Sequence, residues 1–226
     1  MSFSEASLKF LVENKARDSR EWYQANKALY QSVVVAPMVE LVQRLTPAML
    51  QIDPQFIVDP RVDRTISRIY RDTRFSKDKS LYRDNVWAIF IRDRKNQSLP
   101  AYYFELSPSG FSYGMGYYLT PPVLMKEIRE MILGGDPAAV AALEALEKNP
   151  LFRTDGEEYK RPKYPNQPKE LSAWLEKRNI SINADSDDLA VLFSDRLYEL
   201  LIEGFKGIAP IYHFFCLAES KVIREQ

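Results

Sequence analysis

The sequence predicts an α+β fold, a central antiparallel β-sheet flanked by helices from the N- and C-terminal parts of the chain. Helical patterning runs from Ser4 to Asp53, strand-like segments bounded by turn residues occupy the middle, and helical patterning returns after Thr120. Helices grouped around a block of strands, without βαβ alternation, define that class. At 226 residues the chain lies within the range of one large domain, and residues 1–226 are read as a single α+β domain.

Ser4 is placed to cap a first helix reaching about Ala16, with Leu8, Leu11 and Val12 facing inward. A second helical stretch starts at Ser19 or Arg20. Trp22, Leu29, Val33, Leu41 and Leu45, flanked by Tyr30, Val34, Met38 and Val42, form a broad apolar stripe. Pro37 interrupts it and predicts a kink or two helices meeting there. Asp53-Pro54 and Asp59-Pro60 end the helical part.

Thr65 to Arg71 reads as a strand, and the apolar run Val86 to Arg92 as a central strand covered on both faces. Tyr102 to Leu106 and Phe111 to Tyr117 flank Ser107-Pro108-Ser109-Gly110, a type I turn pattern that predicts a hairpin. Thr120 is the expected cap of a helix opened by Pro121-Pro122 and closed by Gly134-Gly135. Asp136-Pro137 starts another helix, Ala138 to Lys148. Asn149 to Lys169, with four Pro and one Gly, reads as a long irregular segment. Helices follow over Pro168–Lys177, Leu189–Glu203 and from Ile208 or Pro210 to Ala218.

Several chemistries are excluded. The single cysteine, Cys216, permits no intrachain disulfide and suits a reducing compartment. The N-terminus lacks the pattern of a signal peptide, and no stretch approaches the roughly 20 apolar residues of a membrane span, so a soluble cytoplasmic protein without membrane attachment is expected. The lone histidine, His213, supports neither a zinc site nor a triad and is expected as a core or half-buried helix residue. Gly114-Met115-Gly116 is no phosphate loop; its expected role is a bulge or close backbone approach. No cofactor and no metal site are indicated.

The most informative segment is Arg61 to Arg83, whose eight basic and three acidic residues give a local charge of +5 in a chain of zero net charge. Ile66, Ile69, Tyr70, Phe75 and Tyr82 interleave with the charges, so the segment must sit half in a core while presenting guanidinium groups. Strand alternation would put Ile66, Arg68 and Tyr70 on one face and Ser67, Ile69 and Arg71 on the other. Arg68, Arg71, Arg74, Ser76, Lys77, Lys79 and Tyr82 are the candidate ligand-binding residues. Asp72 and Asp78 are candidates for acid–base work or for orienting the arginines. Three functions fit: a pocket for a small phosphorylated or carboxylated ligand, a structural ion-pair network in a protein-interaction domain, or single-stranded nucleic-acid binding. A pI near 6.6 and a compact patch weigh against nucleic acid. No nucleophile–base pair stands at a spacing that demands catalysis. The basic loop Lys160–Pro165 is expected as a candidate cover over the same face.

RIYRDTRFSKDKSLYR (Arg68 to Arg83) resembles the signature of a widespread microbial domain-of-unknown-function family, number 2461. REWYQANKALYQ (Arg20 to Gln31) is similar to its N-terminal motif, GFSYGMGYYLTP (Gly110 to Pro121) to its glycine-rich strand, and YKRPKYP (Tyr159 to Pro165) to its basic-proline segment. Leu81 stands where a proline is typical, and Pro165-Asn166-Gln167 replaces the usual glycine and histidine. The resemblance implies one α+β domain and no particular activity.

Overall fold

Helix formation begins where Ser4 takes the N-cap position of α1 (Glu5–Arg17). Glu5 in its first turn and Lys15 and Arg17 in its last complement the helix dipole. The buried face is Ser7, Phe10, Leu11 and Asn14, while Val12 is exposed, contrary to the expected inner face. Phe10 turns inward onto Tyr30 and Trp22, with ring centroids at 5.3 and 5.6 Å, and its larger apolar area outweighs that of Val12.

Ser19 caps α2 (Arg20–Ala25), its hydroxyl accepting from the Trp22 N–H at 3.1 Å. α3 (Lys27–Tyr30) passes through a π-helical turn, Gln31–Val35, into α4 (Ala36–Ile52). Pro37 therefore makes no break; the helix continues through it. Proline has no N–H and leaves the Val33 carbonyl without its intrahelical donor. The buried Ser7 hydroxyl donates to that carbonyl at 2.6 Å and also accepts from Ser4 N at 3.0 Å. The run Lys27–Ile52 is long and apolar enough to cross a membrane, against expectation, yet half of its apolar window is buried within the protein, as in a core helix.

The computed structural model describes residues 2–74, 76–96 and 98–224, so Phe75 lies outside the described residues. Among these, one antiparallel sheet holds β1 (Val86–Phe90), β2 (Ala101–Ser107), β3 (Gly110–Gly116), β4 (Arg153–Asp155) and β5 (Ser181–Ser186) in the order β1-β2-β3-β5-β4. The β2–β3 hairpin turns at Pro108-Ser109, and Gly110 follows at φ +129. At Gly114 a Cβ would lie 2.1 Å from the Ile182 carbonyl oxygen, so this glycine serves close backbone approach.

Two strand expectations need correction. β1 ends the strand order and buries Val86, Ala88 and Phe90 on one face, with Trp87 and Ile89 half-exposed. Thr65 to Arg71 forms no strand. Ser67 N donates to the Trp87 carbonyl at 2.8 Å and Ile89 N to that of Thr65 at 2.9 Å. Tyr70 then bridges to Tyr82. The segment changes partners between Ser67 and Tyr70, so neither pairing is long enough to make a ladder. Its faces alternate from Ser67 to Arg71, but Ile66 is buried.

The chain's contacts group into two units: the chain up to Phe90 with Tyr103–Tyr113 and Asp185–Ile202, and Ile91–Tyr102 with Gly114–Ala184 and the chain from Glu203. The first unit encloses α1 to α4, the 65–85 segment and α8 (Leu189–Leu192). The second holds α5 (Pro122–Leu133), α6 (Pro137–Lys148), α7 (Lys169–Leu175) and α10 (Ala209–Arg224), with α10 packed on α5 and α6. Its core stacks Trp174, Phe214 and Phe215, and Tyr102 against Phe205. Buried Arg129 caps the end of α7 by donating to the carbonyls of Leu175 and Lys177 at 2.9 and 2.5 Å.

Other boundaries moved for local reasons. Pro121 takes the N-cap place of α5, and Thr120 instead donates its N–H to Asn179 Oδ1 at 3.0 Å. The expected helix Leu189–Glu203 is two, α8 and α9 (Arg196–Gly207), and α10 runs beyond Ala218. His213 is exposed, because Tyr212, Phe214 and Phe215 take the buried positions around it. The stretch from Asn149 to Lys169 contains β4, and the Glu176 carboxylate accepts from Lys163 N and Tyr164 N at 2.9 and 2.6 Å, tying the basic loop to the end of α7.

Ser7→Ala removes both the donor to Val33 and the acceptor for Ser4. We expect it to destabilise the protein by about 1–3 kcal/mol in urea unfolding at unchanged m. A variant as stable as wild type would show that the π turn satisfies Val33 in another way.

Candidate functional site

The basic segment folds as a hairpin whose arms are 69–71 and 81–83. Arg71 N donates to the Leu81 carbonyl and Arg83 N to the Ile69 carbonyl, both at 2.9 Å. So short a pairing cannot stand alone. The end of α1 holds it. Asp18, in the left-handed region at φ 44, accepts from Leu81 N at 2.7 Å and Tyr82 N at 3.2 Å. Lys15 Nζ donates to Ser80 Oγ at 2.7 Å and the Tyr82 carbonyl at 3.1 Å.

Beneath the hairpin lies an aromatic cluster. Tyr82 is fully buried, with its ring 5.2 Å from Tyr23 and 5.0 Å from Tyr70. Tyr23 also meets Tyr70 at 5.3 Å and Tyr30 at 5.8 Å. Burial, then the Tyr70 hydroxyl, pushes the Tyr23 phenol up to about 12. Burial raises Tyr30 and Tyr82 further. Tyr82, expected at the ligand, is thus a packing residue.

The loop between the arms neutralises much of its own charge. Arg74 donates from Nε and Nη2 to Asp72 at 3.0 and 2.7 Å, which lowers that carboxyl to about 2. Arg71 pairs with Asp78 and donates to Ser80 Oγ at 2.9 Å, with Ser76 Oγ at 3.5 Å. The Ser80 N–H and hydroxyl, then Arg71, lower the Asp78 carboxyl. Arg68 pairs with Asp63 at 3.2 Å, and Lys79 donates to the Thr73 carbonyl at 2.8 Å. Lys77 is exposed. Both aspartates are held by arginines, an orienting arrangement.

Of the expected ligand residues, Arg71 lines an open depression of about 330 Å³, together with Asp72 from the acid–base or orienting candidates and with Lys15, Arg83, Asp84, Asn85 and Trp87. Arg68, Arg74, Ser76, Lys77, Asp78, Lys79 and Tyr82 do not line it. Arg83 lies over the Trp87 ring, 4.5 Å from its centroid, and donates to the Arg68 carbonyl at 3.3 Å. Burial, then the positive charges of Arg71 and Arg68, lowers its pKa. Among the described residues no carboxylate forms an ion pair with Arg83, and no three His, Cys, Asp or Glu side chains cluster as a metal site. Sequence reasoning missed Lys15, Asp84, Asn85 and Trp87, which lie outside the basic segment; Arg83 was within it, as its last residue, but was not singled out.

Two outcomes follow from this packing. Asp18→Ala should cost about 2 kcal/mol in urea unfolding, because two backbone donors lose their acceptor and the left-handed backbone loses a tolerant residue, whereas Asp18→Asn should cost less. In alkali, a phenol raised from 10 to about 12 by folding contributes stability that is complete below pH 10 and lost as pH climbs through 12. Unfolding free energy should fall over that window, and less steeply in Tyr23→Phe; identical slopes would exclude Tyr23 as the cause.

No curated protein matches the chain. A family model described as "Conserved hypothetical protein (DUF2461)" matches residues 6–214, a span that includes the basic hairpin and all five strands of the sheet. The chain belongs to the DUF2461 family.

Proposed function

We propose that the protein binds a small anionic ligand in the depression beneath Arg71 and Arg83. The observation that carries this reading is Arg83, a half-buried guanidinium on which burial and the neighbouring Arg71 and Arg68 outweigh the pull of Asp72 and Glu105, and which directly meets an aromatic face and a carbonyl without an ion pair among the described residues. Half-buried charges are ordinarily paired, and an arginine left available in a concave site suits phosphate or carboxylate. Lys15 and Arg71 line the same depression. Arg68, Arg74, Lys77 and Lys79 add positive potential around it rather than contacts. The same reading takes the protein as cytoplasmic, favoured by its single half-buried thiol, Cys216.

A structural ion network is the second reading, favoured by the Arg71–Asp78 and Arg74–Asp72 pairs. The two readings differ at Arg83. A thermal-shift series at fixed ionic strength, with phosphate, sulfate, sugar phosphates, nucleotides, dicarboxylates and a short single-stranded oligonucleotide, separates them. A ligand at about 100 times its Kd adds about 2.7 kcal/mol, several degrees in Tm. One narrow class of small anions should stabilise wild type, and Arg83→Met, which keeps the apolar stem, should abolish that response at a near-wild-type Tm. No response in wild type would leave the ion network. Stabilisation by the oligonucleotide alone, falling steeply with salt, would point to nucleic acid.

A further inference from the structure

We infer that the ligand of this depression is a phosphomonoester of a polyol, with one phosphate head and a hydroxylated body. The inference rests on the anion reading above and names its substrate class. The head is set by the donors that remain. Lys15 uses two of its three ammonium protons on Ser80 Oγ and the Tyr82 carbonyl. Arg83 uses Nη1 on the Arg68 carbonyl, which leaves Nε and Nη2. Arg71 turns Nη1 toward Asp78 and Ser80 and Nη2 toward Ser76, which leaves Nε. Three cations on three separate stretches of chain each retain a donor. A phosphate, with three peripheral oxygens, matches that set better than a carboxylate with two.

The body is set by the acceptors. Asp84 and Asn85 line the same depression, and Asp84 forms no ion pair among the described residues. A bare carboxylate beside the cations accepts hydrogen bonds from hydroxyl groups and repels a second negative charge. Three lining cations face two lining carboxylates, Asp72 and Asp84, so the site suits one anionic head and disfavours a polyanion. A nucleobase has no platform, because the Trp87 face is covered by Arg83. The volume, about 330 Å³, lies at the small end of ligand sites.

Isothermal titration calorimetry with inorganic phosphate, glucose 6-phosphate and ATP, on wild type, Asp84→Ala, Asp84→Asn and Arg83→Met, tests this. Wild type should bind glucose 6-phosphate about tenfold tighter than phosphate or ATP, the worth of one charge-assisted hydrogen bond. Asp84→Ala should erase that preference while phosphate binds as well or better, and Asp84→Asn, which keeps an acceptor without the charge, should retain part of the sugar preference and bind ATP more tightly. No preference for glucose 6-phosphate in wild type, or a preference that survives Asp84→Ala, overturns the polyol assignment while phosphate binding lost in Arg83→Met leaves the anion site standing. No binding of any probe to wild type overturns both.

Discussion

The hairpin that carries the basic residues depends on the last turn of α1. Its arms share two backbone bonds among the described residues, far too few to fix a register. The N–H groups of Leu81 and Tyr82 lie against the protein, where an unpaired donor costs about as much as a hydrogen bond contributes. Asp18 answers both, and it can do so because the chain turns through a left-handed residue there, a conformation that aspartate tolerates better than most. Lys15, one turn earlier on the same helix, takes the Tyr82 carbonyl. With the 81–83 arm held, the Tyr82 ring enters the aromatic cluster and Arg83 is delivered over Trp87.

Counting cations does not locate positive potential. Four of the eight cations of the basic segment are paired where they stand, Arg61 with Asp59, Arg68 with Asp63, Arg71 with Asp78 and Arg74 with Asp72, so its excess charge of +5 is carried by the others. Most of these pairs are well exposed, and exposed pairs contribute little to stability. Their effect is to remove the outer loop residues from competition for a ligand. Arg83 has no such partner among the described residues and sits deeper, where screening by water is weaker and a charge acts more strongly.

Much of the fold was legible. The Ser4 cap, the long helical run ending before Asp53, the Pro108-Ser109 hairpin and the helix closed by Gly134 rest on local chemistry, and local chemistry is what a sequence displays. β5 was not legible: in Ser181–Ser186 only Ile182 and Ala184 are buried, too few apolar residues to signal a strand. β1 misled because Trp87 and Ile89 are apolar yet half-exposed, so one-sided burial looked like two. At the site, Arg71 was legible as an arginine in a dense motif. Lys15 was not, because the bond from its ammonium to Ser80 spans 65 residues and nothing in either segment announces the other.

Two of the four stretches that carry the family resemblance meet physically in the tyrosines. Tyr23 and Tyr30 come from the stretch Arg20 to Gln31, Tyr70 and Tyr82 from the stretch Arg68 to Arg83, and the four rings lie in one contact chain. Neither stretch could keep its pattern alone, because each supplies two rings of one packed cluster, in which burial raises the phenols of Tyr23, Tyr30 and Tyr82. Such a base is stiff, and stiffness is what a cation without an acid requires. Arg83 loses hydration on folding and, among the described residues, gains a ring face, one carbonyl and the more distant attraction of Asp72 and Glu105 but no ion pair, an arrangement less favourable than a paired arginine. Sequences that satisfy local rules nearly everywhere tend to break them where a site demands it. One such break in this unit is at Arg83, and the clamp of Asp18 and Lys15 together with the tyrosine cluster holds it in place.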